Sequence, residues 1–501
     1  MAMVFGMFMA ILDIQIVSAS LAEIQAGLSA SADEVSWVQT AYLIAEVVMI
    51  PMSGFLARAL STRVLFTVAA AGFTISSALC ATAGSIEQMI VWRAVQGFIG
   101  GGMIPSVFAA SFTLFPGRQR AVVTPVIGLV ATLAPTIGPT IGGWLTQQLS
   151  WHWLFLINVG PGIAVTLAAA MLIDFDRPEH KLLRHFDWLG LIGMAGFLGG
   201  LEYVLEEGPN HDWLEEPAVF ACAVVSAVGS VLFFWRAFVA REPIVDLRAY
   251  RDRNFALGSL FSFVVGVGLY GLTYLYPVYL SRVRGYDSMM IGETMFVTGV
   301  AMFLTAPISG VLSRRLDPRI MMLIGFAGFG LGTFMVTGIT KDWDFWELFV
   351  PQILRGASLM LCMVPVTNLA LGTLPPAELK NASGLFNLVR NLGGAVGLAV
   401  INTLLNHRLD LHLARLHESV AWGRGAAEEM LANLTLRYSE LGAGADQLAA
   451  IKRMALLVRR EATVMAFSDV FLVLTGLFAA LALATLTLRK PRAVAAPPGA
   501  H

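Results

Sequence analysis

Fourteen separate apolar runs constrain this chain more than any other feature of its sequence. A bilayer core about 30 Å thick needs roughly 20 predominantly apolar residues per helix. The runs lie near residues 1–21, 35–57, 64–83, 86–110, 121–146, 152–173, 187–206, 217–239, 255–280, 290–312, 320–340, 346–372, 381–405 and 464–488. Composition agrees, because 57% of the residues are hydrophobic and 13% charged, whereas soluble domains hold about 45–50% apolar and about 25% charged residues. The sequence predicts an all-α integral membrane protein with fourteen transmembrane helices.

A block of sequence occurs twice, at Pro51–Arg63 and again at Pro307–Arg319. Both copies read Pro-x-Ser-Gly-x-Leu-x-Arg-x-Leu-x-x-Arg at a constant offset of 256 residues. Each copy closes one apolar run and opens the next, so each is predicted to be a short loop between two spans. We call these loops the first and second hinges. Their shared residues are Gly54, Arg58 and Arg63 in the first hinge and Gly310, Arg314 and Arg319 in the second.

The repeat indicates that the chain arose by duplication, and its offset exceeds the length of six helices with their loops. Two helices at about 187–239 are the predicted insert, because their removal leaves six spans around each hinge. The predicted division is 1–175 for the first six-helix bundle, 176–245 for the inserted helices with their linkers, 246–488 for the second bundle and 489–501 for a tail. Since both hinges face one side of the membrane, the halves are related by an axis along the membrane normal.

Lys and Arg residues, which concentrate in cytoplasmic loops, predict the orientation. The loops on the side of the hinges and the C-terminal tail hold 18 of them, and the short loops on the other side hold three. Both termini are therefore predicted to be cytoplasmic. The segment 406–463 is then external, and its apolar and charged residues alternate at helical spacing. It is predicted to form an amphipathic helix that lies on the membrane or caps a cavity.

Four segments carry a resemblance to a known family. They are Leu12–Val17 in the first apolar run, Arg93–Gly97 followed by Gly100–Gly102 and Pro105 in the fourth, Ala134–Trp144 in the fifth, and Pro243–Leu247 with Arg253–Phe255 after the eighth. The chain resembles the fourteen-span drug:proton antiporters of the major facilitator superfamily, and within them the EmrB-like inner-membrane subunits of tripartite pumps. The first hinge departs from the family pattern, because Arg58 and Ser61 stand where the family usually has an acidic residue and a glycine.

The resemblance implies two six-helix bundles plus two inserted helices, in an inner membrane and without a cofactor. It also implies proton-driven export of hydrophobic or amphipathic drugs by alternating access. A periplasmic adaptor and an outer-membrane channel are the implied partners, and the external segment 406–463 is the implied adaptor contact. The alternative function for the same fold is narrow export of one metabolite, siderophore or organic acid.

The segment in the fifth run is similar to the antiporter motif of the family. Gly138 and Gly142 are four residues apart, so they share one helical face and predict a close approach of another helix. Pro135 and Pro139 predict a bend, because each lacks a backbone N–H. Gly143 follows directly. The resemblance implies that this tight seam seals the cavity against proton leak, whereas simple helix packing is the competing interpretation.

Charged residues inside apolar runs are costly in lipid, by about 2.5–3.5 kcal/mol each at mid-bilayer, so they normally face a cavity or a partner. A desolvated carboxylate is also the kind of group that loads and releases protons. The predicted proton-coupling residues are Asp13, Glu46, Arg93, Glu202 and Asp469. The competing interpretation for each is a buried structural hydrogen bond.

Three further polar residues in apolar runs, Gln96, Arg355 and Arg390, are the predicted substrate-cavity residues. Either arginine could pair with an acid or bind an anionic substrate. The sequence shows no Gly-x-x-x-x-Gly-Lys-Ser/Thr phosphate loop and no metal-ligand spacing, and its cysteines Cys80, Cys222 and Cys362 all fall inside apolar runs. These observations predict that the chain is not an enzyme and that it holds no metal site.

Overall fold

The computed structural model describes residues 1–115, 119–420, 424–438 and 444–486. These residues contain fourteen helices that are long and apolar enough to cross a membrane. We number them as spans 1 to 14: Ala2–Ala19, Glu34–Leu60, Thr62–Ala81, Ile86–Leu114, Val122–Gln148, Trp153–Leu172, Trp188–Asn210, Pro217–Val239, Arg253–Arg284, Met289–Arg315, Pro318–Gly338, Phe345–Leu371, Leu379–Ser419 and Ala445–Thr485. The predicted all-α membrane fold is confirmed.

Short helices and local breaks complete the chain between these spans. Leu21–Leu28 precedes span 2, Gly425–Arg437 lies between spans 13 and 14, and a 3-10 turn covers His180–His185. Span 4 is interrupted at Gly101 and Gly102. A Cβ on Gly101 would lie 3.0 Å from the Glu46 carbonyl oxygen, so the small residues of span 4 allow it to lie directly against span 2.

The two halves of the chain pack against each other through pairs of closely approaching helices. Span 10 lies against span 5, where a Cβ on Gly292 would lie 2.3 Å from Thr140 Oγ1. Span 13 lies against span 2, where a Cβ on Gly384 would lie 3.1 Å from the Ile50 carbonyl oxygen. The missing side chains let these backbones approach, which is the usual basis of helix association in lipid.

The predicted inserted helices, spans 7 and 8, pack tightly on each other. A Cβ on Gly193 would lie 2.7 Å from the Phe233 nitrogen, and one on Gly229 would lie 2.5 Å from the Phe197 nitrogen. Span 8 exposes a series of large apolar side chains, Phe220, Val224, Val225, Val228, Val231, Phe234, Trp235 and Phe238. Span 7 in turn contacts span 2, with Gly199 near Ile44. The pair therefore lies beside the bundle, and span 7 is the member that touches it.

The segment 406–463, predicted to form an amphipathic helix, is helical in its described parts, but most of it is continuous with the neighbouring spans. Spans 13 and 14 each continue as one helix of 41 residues, or about 61 Å at about 1.5 Å per residue. That is about twice the thickness of a bilayer core. The helical periodicity of the segment joins the apolar runs without a break, because i to i+4 hydrogen bonds continue from each span into its extension. The predicted tail at 489–501 lies outside the described residues.

Both hinges are short connections, as the repeat predicts. In the first hinge, Ser61 is the single residue between spans 2 and 3, and its φ of 80° lies in the left-handed region. In the second hinge, the Asp317 side chain caps the start of span 11 and forms an ion pair with Arg319 at 3.1 Å. We call the face of the bundle that carries these hinges the hinge side and the opposite face the distal side.

Candidate functional site

A cavity of about 600 Å³ lies between the two halves, in the distal half of the bundle. Ser18, Asn210 and Arg282 stand at helix ends on its rim and are exposed, whereas Glu46 at its base is 3% exposed. Spans 1, 2, 5, 7, 9, 10 and 13 all contribute to its wall. Its volume lies within the range of about 300–1,000 Å³ that is typical of small-molecule sites.

Three carboxylates line the cavity: Glu46 from span 2, and Glu202 and Glu206 from span 7. Glu202 and Glu206 are four residues apart, so they share one face of the helix. The tyrosines Tyr270 and Tyr274 of span 9 form part of the opposite wall. Of the predicted proton-coupling residues, Glu46 and Glu202 thus belong to one cavity.

Asp13 and Arg93 form a second charged cluster, which does not line the cavity. Their side chains are fully buried, and Arg93 Nη1 lies 2.6 Å from Asp13 Oδ2. Asn158 Nδ2 donates to Asp13 Oδ1 at 2.7 Å, and Gln96 accepts a bond from Arg93 at 2.8 Å. The Arg93 guanidinium also lies 4.2 Å from the centre of the Tyr42 ring. This cluster ties together spans 1, 2, 4 and 6 of the first half.

The three residues predicted at the substrate cavity, Gln96, Arg355 and Arg390, do not line it. Gln96 belongs to the Asp13 cluster. Arg355 donates to the Leu272 carbonyl oxygen at 3.3 Å and lies 4.9 Å from the centre of the Tyr276 ring. Arg390 donates to Asn387 at 2.6 Å and lies beside Phe108. The Arg355 guanidinium is bound by a carbonyl oxygen and a ring face of its own half. The Arg390 guanidinium of span 13 lies between Asn387 of the same helix and Phe108 of span 4, which belongs to the first half.

Asp469 also lies away from the cavity. Its Oδ2 atom is 2.8 Å from His412 Nε2 and 3.7 Å from Arg408 Nη1. Both partners belong to the extension of span 13 beyond the apolar run, and Asp469 belongs to span 14. Asp469 therefore links span 14 to the extension of span 13.

The hinge side of the bundle is closed beneath the cavity. Lys380, at the start of span 13, donates to Asp176 at 2.6 Å and to the Ala57 carbonyl oxygen at 3.0 Å. A Cβ on Gly54 would lie 2.8 Å from the Asn381 Cα, so the first hinge needs a glycine for this contact. The first hinge has no acidic residue of its own. The carboxylate that binds Lys380 and Thr62 is that of Asp176, which lies in the segment after span 6.

Asp176 is held in its charged form at this closure. Burial raises the pKa of its carboxyl group, but the hydrogen bonds from Lys380 and Thr62 outweigh burial and hold the pKa below the ordinary value of 3.8. The Thr62 hydroxyl donates to Asp176 at 2.7 Å and the Thr62 backbone N–H donates at 2.8 Å. Among the arginines that the two hinges share, Arg58 is half-buried, and Arg63 and Arg314 are exposed.

The glycines predicted for close helix approach lie against span 1. A Cβ on Gly138 would lie 2.4 Å from the Gln15 Cβ, and one on Gly142 would lie 2.9 Å from the Ile16 carbonyl oxygen. Gly143 and Pro135 are buried in the same span 5. Pro139 lines the cavity, so this seam adjoins the cavity wall.

Residues of these clusters that the sequence did not single out include Gln39, Asn158, Asp176, Glu206 and Lys380. Asn158 stands alone in an apolar run, and that signal would have been sufficient to select it. Glu206 follows Glu202 by one helical turn, but it lies close to the end of its run, where charged residues are common. Asp176 lies in a polar loop, and nothing local distinguishes it.

Comparison with known proteins agrees with this architecture. Residues 3–398 match the family model described as Major Facilitator Superfamily. The chain belongs to the major facilitator superfamily. This membership confirms the predicted family and shows that the chain is a membrane transporter and not an enzyme.

Individual relatives of this major facilitator protein include EmrB proteins. The chain is 46% identical over 450 residues to the colistin resistance protein EmrB of Acinetobacter baumannii, covering 89% of this chain and 88% of that protein. It is 28% identical to the multidrug export protein EmrB of Escherichia coli, covering 96% and 93%. It is also 28% identical to the fatty acid resistance protein FarB of Neisseria gonorrhoeae, covering 86% and 85%. The predicted EmrB-like resemblance is confirmed.

Solved structures share the fold at low sequence identity. The human organic anion transporter MFSD10 superposes with a TM-score of 0.57 at 13% identity, covering 95% of this chain and 98% of that one. A bacterial homologue of the lysosomal transporter Spinster superposes with a TM-score of 0.52 at 16% identity, covering 97% and 96%. These likenesses support the fold alone.

Proposed function

We propose that this major facilitator protein exports hydrophobic or amphipathic drugs in exchange for protons. The observation that carries the proposal is Glu46, which lies 3% exposed at the base of the cavity with its Oε1 atom lacking a hydrogen-bond partner. A buried carboxylate without a hydrogen-bond partner is stabilised by taking up a proton or by binding a ligand. The drug and multidrug resistance names of its relatives support the same class of substrate.

The mechanism follows from competition at the cavity. With the hinge side closed by Lys380 and Asp176, Glu46 takes up a proton from the distal side, and the proton displaces the bound drug toward that side. Rocking of the halves then opens the hinge side, where the proton leaves and a new drug enters. One charge that crosses 100 mV contributes about 2.3 kcal/mol, which supports a drug gradient of roughly fiftyfold at about 1.4 kcal/mol per tenfold.

Location and partners belong to the same proposal. The excess of Lys and Arg on the hinge side supports an inner-membrane protein with that side and both termini in the cytoplasm. The extensions of spans 13 and 14 reach about 30 Å beyond the bilayer core. They are the surface that we assign to a periplasmic adaptor, which would lead to an outer-membrane channel.

Drug-dependent proton release from inverted, respiring vesicles tests the coupling. We expect several unrelated drugs to release protons from vesicles that contain the parent chain, and Glu46→Gln to abolish the response. Glu429→Gln, at an exposed position between spans 13 and 14, is the matched control and should respond like the parent. A response to a single compound would favour the narrow exporter, and no response to any compound would refute proton coupling.

The adaptor is tested by a change that spares the cavity. Leu436, on the helix Gly425–Arg437 between spans 13 and 14, and Leu448, on the extension of span 14, are 71% and 70% exposed. Leu436→Glu with Leu448→Glu should lower drug resistance of whole cells while leaving proton release in vesicles intact. Unchanged resistance would argue against an adaptor on this surface.

A further inference from the structure

The part of the cavity wall formed by span 7 carries more acidic residues than proton exchange requires. Glu202 and Glu206 of span 7 line the cavity together with Glu46. Arg282 is the one basic residue in the described lining, and it is exposed at the rim. Proton exchange needs one carboxylate, so the two further acids on the inserted helix call for another explanation.

These carboxylates form no direct bond with another described side chain, although the charges of Arg93 and Arg390 lie near enough to act on Glu46. Among the residues that the structure describes, no hydrogen bond or ion pair involves Glu46, Glu202 or Glu206. Two other buried acids, by contrast, are paired: Asp13 with Arg93 at 2.6 Å, and Asp187, just before span 7, with Arg236 at 2.9 Å. Buried charges are normally paired, because an unpaired charge in the membrane interior is strongly unfavourable. The oxygen atoms of the three cavity carboxylates are therefore available to bind a ligand.

A second observation points into the same space. Gln39 and Glu46 are 9% and 3% exposed, and each has an Oε1 atom without a hydrogen-bond partner. Both residues line the cavity. Oxygen acceptors of this kind attract a positively charged or proton-donating ligand and repel an anion.

The opposite wall suits an organic cation in particular. Tyr270 and Tyr274 line the cavity, and the faces of aromatic rings attract cations. Apolar residues such as Leu43, Leu398 and Val278 fill the remaining wall. Carboxylates, aromatic faces and aliphatic surface together match a molecule that is both apolar and positively charged.

We propose that the inserted span 7 makes this cavity selective for amphipathic organic cations, with Glu202 and Glu206 as the specificity-determining residues. The inference rests on the proposed export function, because it names the substrate class of the same cavity. Glu46 belongs to both roles, since it faces the cation and exchanges the proton. The inserted helix pair is then a specificity element added beside two complete six-helix bundles.

Equilibrium binding of two size-matched probes tests the proposal. Tetraphenylphosphonium and tetraphenylborate differ chiefly in the sign of their charge. The purified full chain in lipid nanodiscs should bind the phosphonium at least about tenfold more tightly than the borate, or about 1.4 kcal/mol. Glu202→Gln with Glu206→Gln should reduce that preference by about tenfold. Glu215→Gln, at an exposed position between spans 7 and 8, should leave it unchanged.

A second variant keeps the test decisive if the double variant does not fold. Arg282→Gln removes the basic residue at the rim and should strengthen phosphonium binding. Equal binding of both probes by the parent chain, or an unaltered preference in both variants, would overturn the proposal.

Binding in nanodiscs needs no proton gradient, so the two proposals fail separately. Charge-selective binding without phosphonium-dependent proton release in vesicles would refute the antiport function and leave the cation site standing. Drug-dependent proton release by a parent chain that binds both probes equally would refute the cation site alone.

Discussion

At the residue scale, the buried pair of Asp13 and Arg93 stabilises the first half and stands apart from the cavity. Both side chains are fully buried, and Asn158 and Gln96 supply further hydrogen bonds. An ion pair in such surroundings is strongly coupled, because removal of either member leaves an uncompensated buried charge. Its position predicts a structural contribution in addition to any part in proton coupling.

Asp13→Asn should therefore lower the stability of the purified protein by about 3–5 kcal/mol. Thermal unfolding in detergent measures the loss. Arg93→Gln combined with Asp13→Asn should recover most of it, since the double variant buries no charge. Asp410→Asn, at an exposed position on span 13, is the control. A single variant as stable as the parent would show that the pair contributes nothing to folding.

Ser61 in the first hinge adopts a conformation that suits glycine. Its φ is 80° and its ψ is 154°, a region in which a residue with a Cβ is strained by about 1–3 kcal/mol. The Ser61 hydroxyl accepts a 3.4 Å bond from the Val64 N–H, and exchange of such a cap for glycine costs a few tenths of a kcal/mol. The family glycine at this position thus has a physical reason.

Ser61→Gly should stabilise the protein by about 1 kcal/mol, because the relief of strain exceeds the loss of the cap. Ser85→Gly is the matched control: Ser85 caps span 4 with an extended φ of −147°, so glycine there loses the cap and relieves no strain. Opposite shifts in unfolding temperature are expected. A destabilised Ser61→Gly variant would contradict the strain argument.

At the element scale, the junction of spans 2 and 13 with the Asp176 segment decides whether the hinge side is closed. Gly54 allows the helices to meet, and Lys380 joins Asp176 to the Ala57 carbonyl oxygen across the two halves. The repeat predicted the hinge from the sequence, but it gave no indication of Asp176, because the contact spans 204 residues and depends on how the bundles dock.

The pH dependence of this closure follows from the pKa of Asp176, which the closed conformation lowers below 3.8. A lowered pKa means that the pair favours closure above the ordinary pKa and ceases to do so as the pH falls through the lowered value. Between about pH 5 and 8 its contribution should be constant. Proton-driven opening in that range must therefore come from another group.

Asp176→Asn should open the hinge side over the same pH range. Ala57 is 3% exposed, so a cysteine placed there by Ala57→Cys should react faster with a membrane-impermeant maleimide in inverted vesicles when Asp176→Asn is added. Glu179→Gln, exposed on the same segment, should not change the rate. The labelling rate with Asp176→Asn divided by the rate without it should not depend on pH. A sharp change in this ratio as the pH falls from 8 to 5 would contradict a constant contribution of Asp176 to closure.

At the scale of the whole molecule, the bundle has its cavity on the distal side and its closure on the hinge side. An orientation with the hinges in the cytoplasm makes this an outward-facing conformation. The same orientation sends the extensions of spans 13 and 14 away from the cytoplasm. Orientation is thus the fact on which the direction of transport depends.

Cysteine labelling in intact cells measures this orientation. Glu215, between spans 7 and 8, and Lys181, before span 7, are both exposed and lie on opposite sides of the bundle. The Glu215→Cys variant should react with an impermeant maleimide from outside, whereas the Lys181→Cys variant should react only after the cells are opened. The reverse pattern would invert the topology and the proposed direction of export.

The sequence by itself determined the properties that depend on local composition. Span number, both hinges and the family follow from runs of apolar residues, a repeated block and short motifs, because a helix in lipid satisfies its own backbone. Even the distal extensions kept their predicted helical periodicity. These features require no knowledge of which helices are neighbours.

Only the tertiary structure decided which polar residues meet. Asp13, Glu46 and Glu202 were alike in sequence as single acids in apolar runs, yet Asp13 is sealed against Arg93 while Glu46 and Glu202 face a cavity. Neither Arg355 nor Arg390 lines the cavity: Arg355 packs within the second half, and Arg390 lies beside Phe108 of the first half. The physical reason is that a charge in lipid must find a partner or a cavity, and the docking of the helices decides which of the two is within reach.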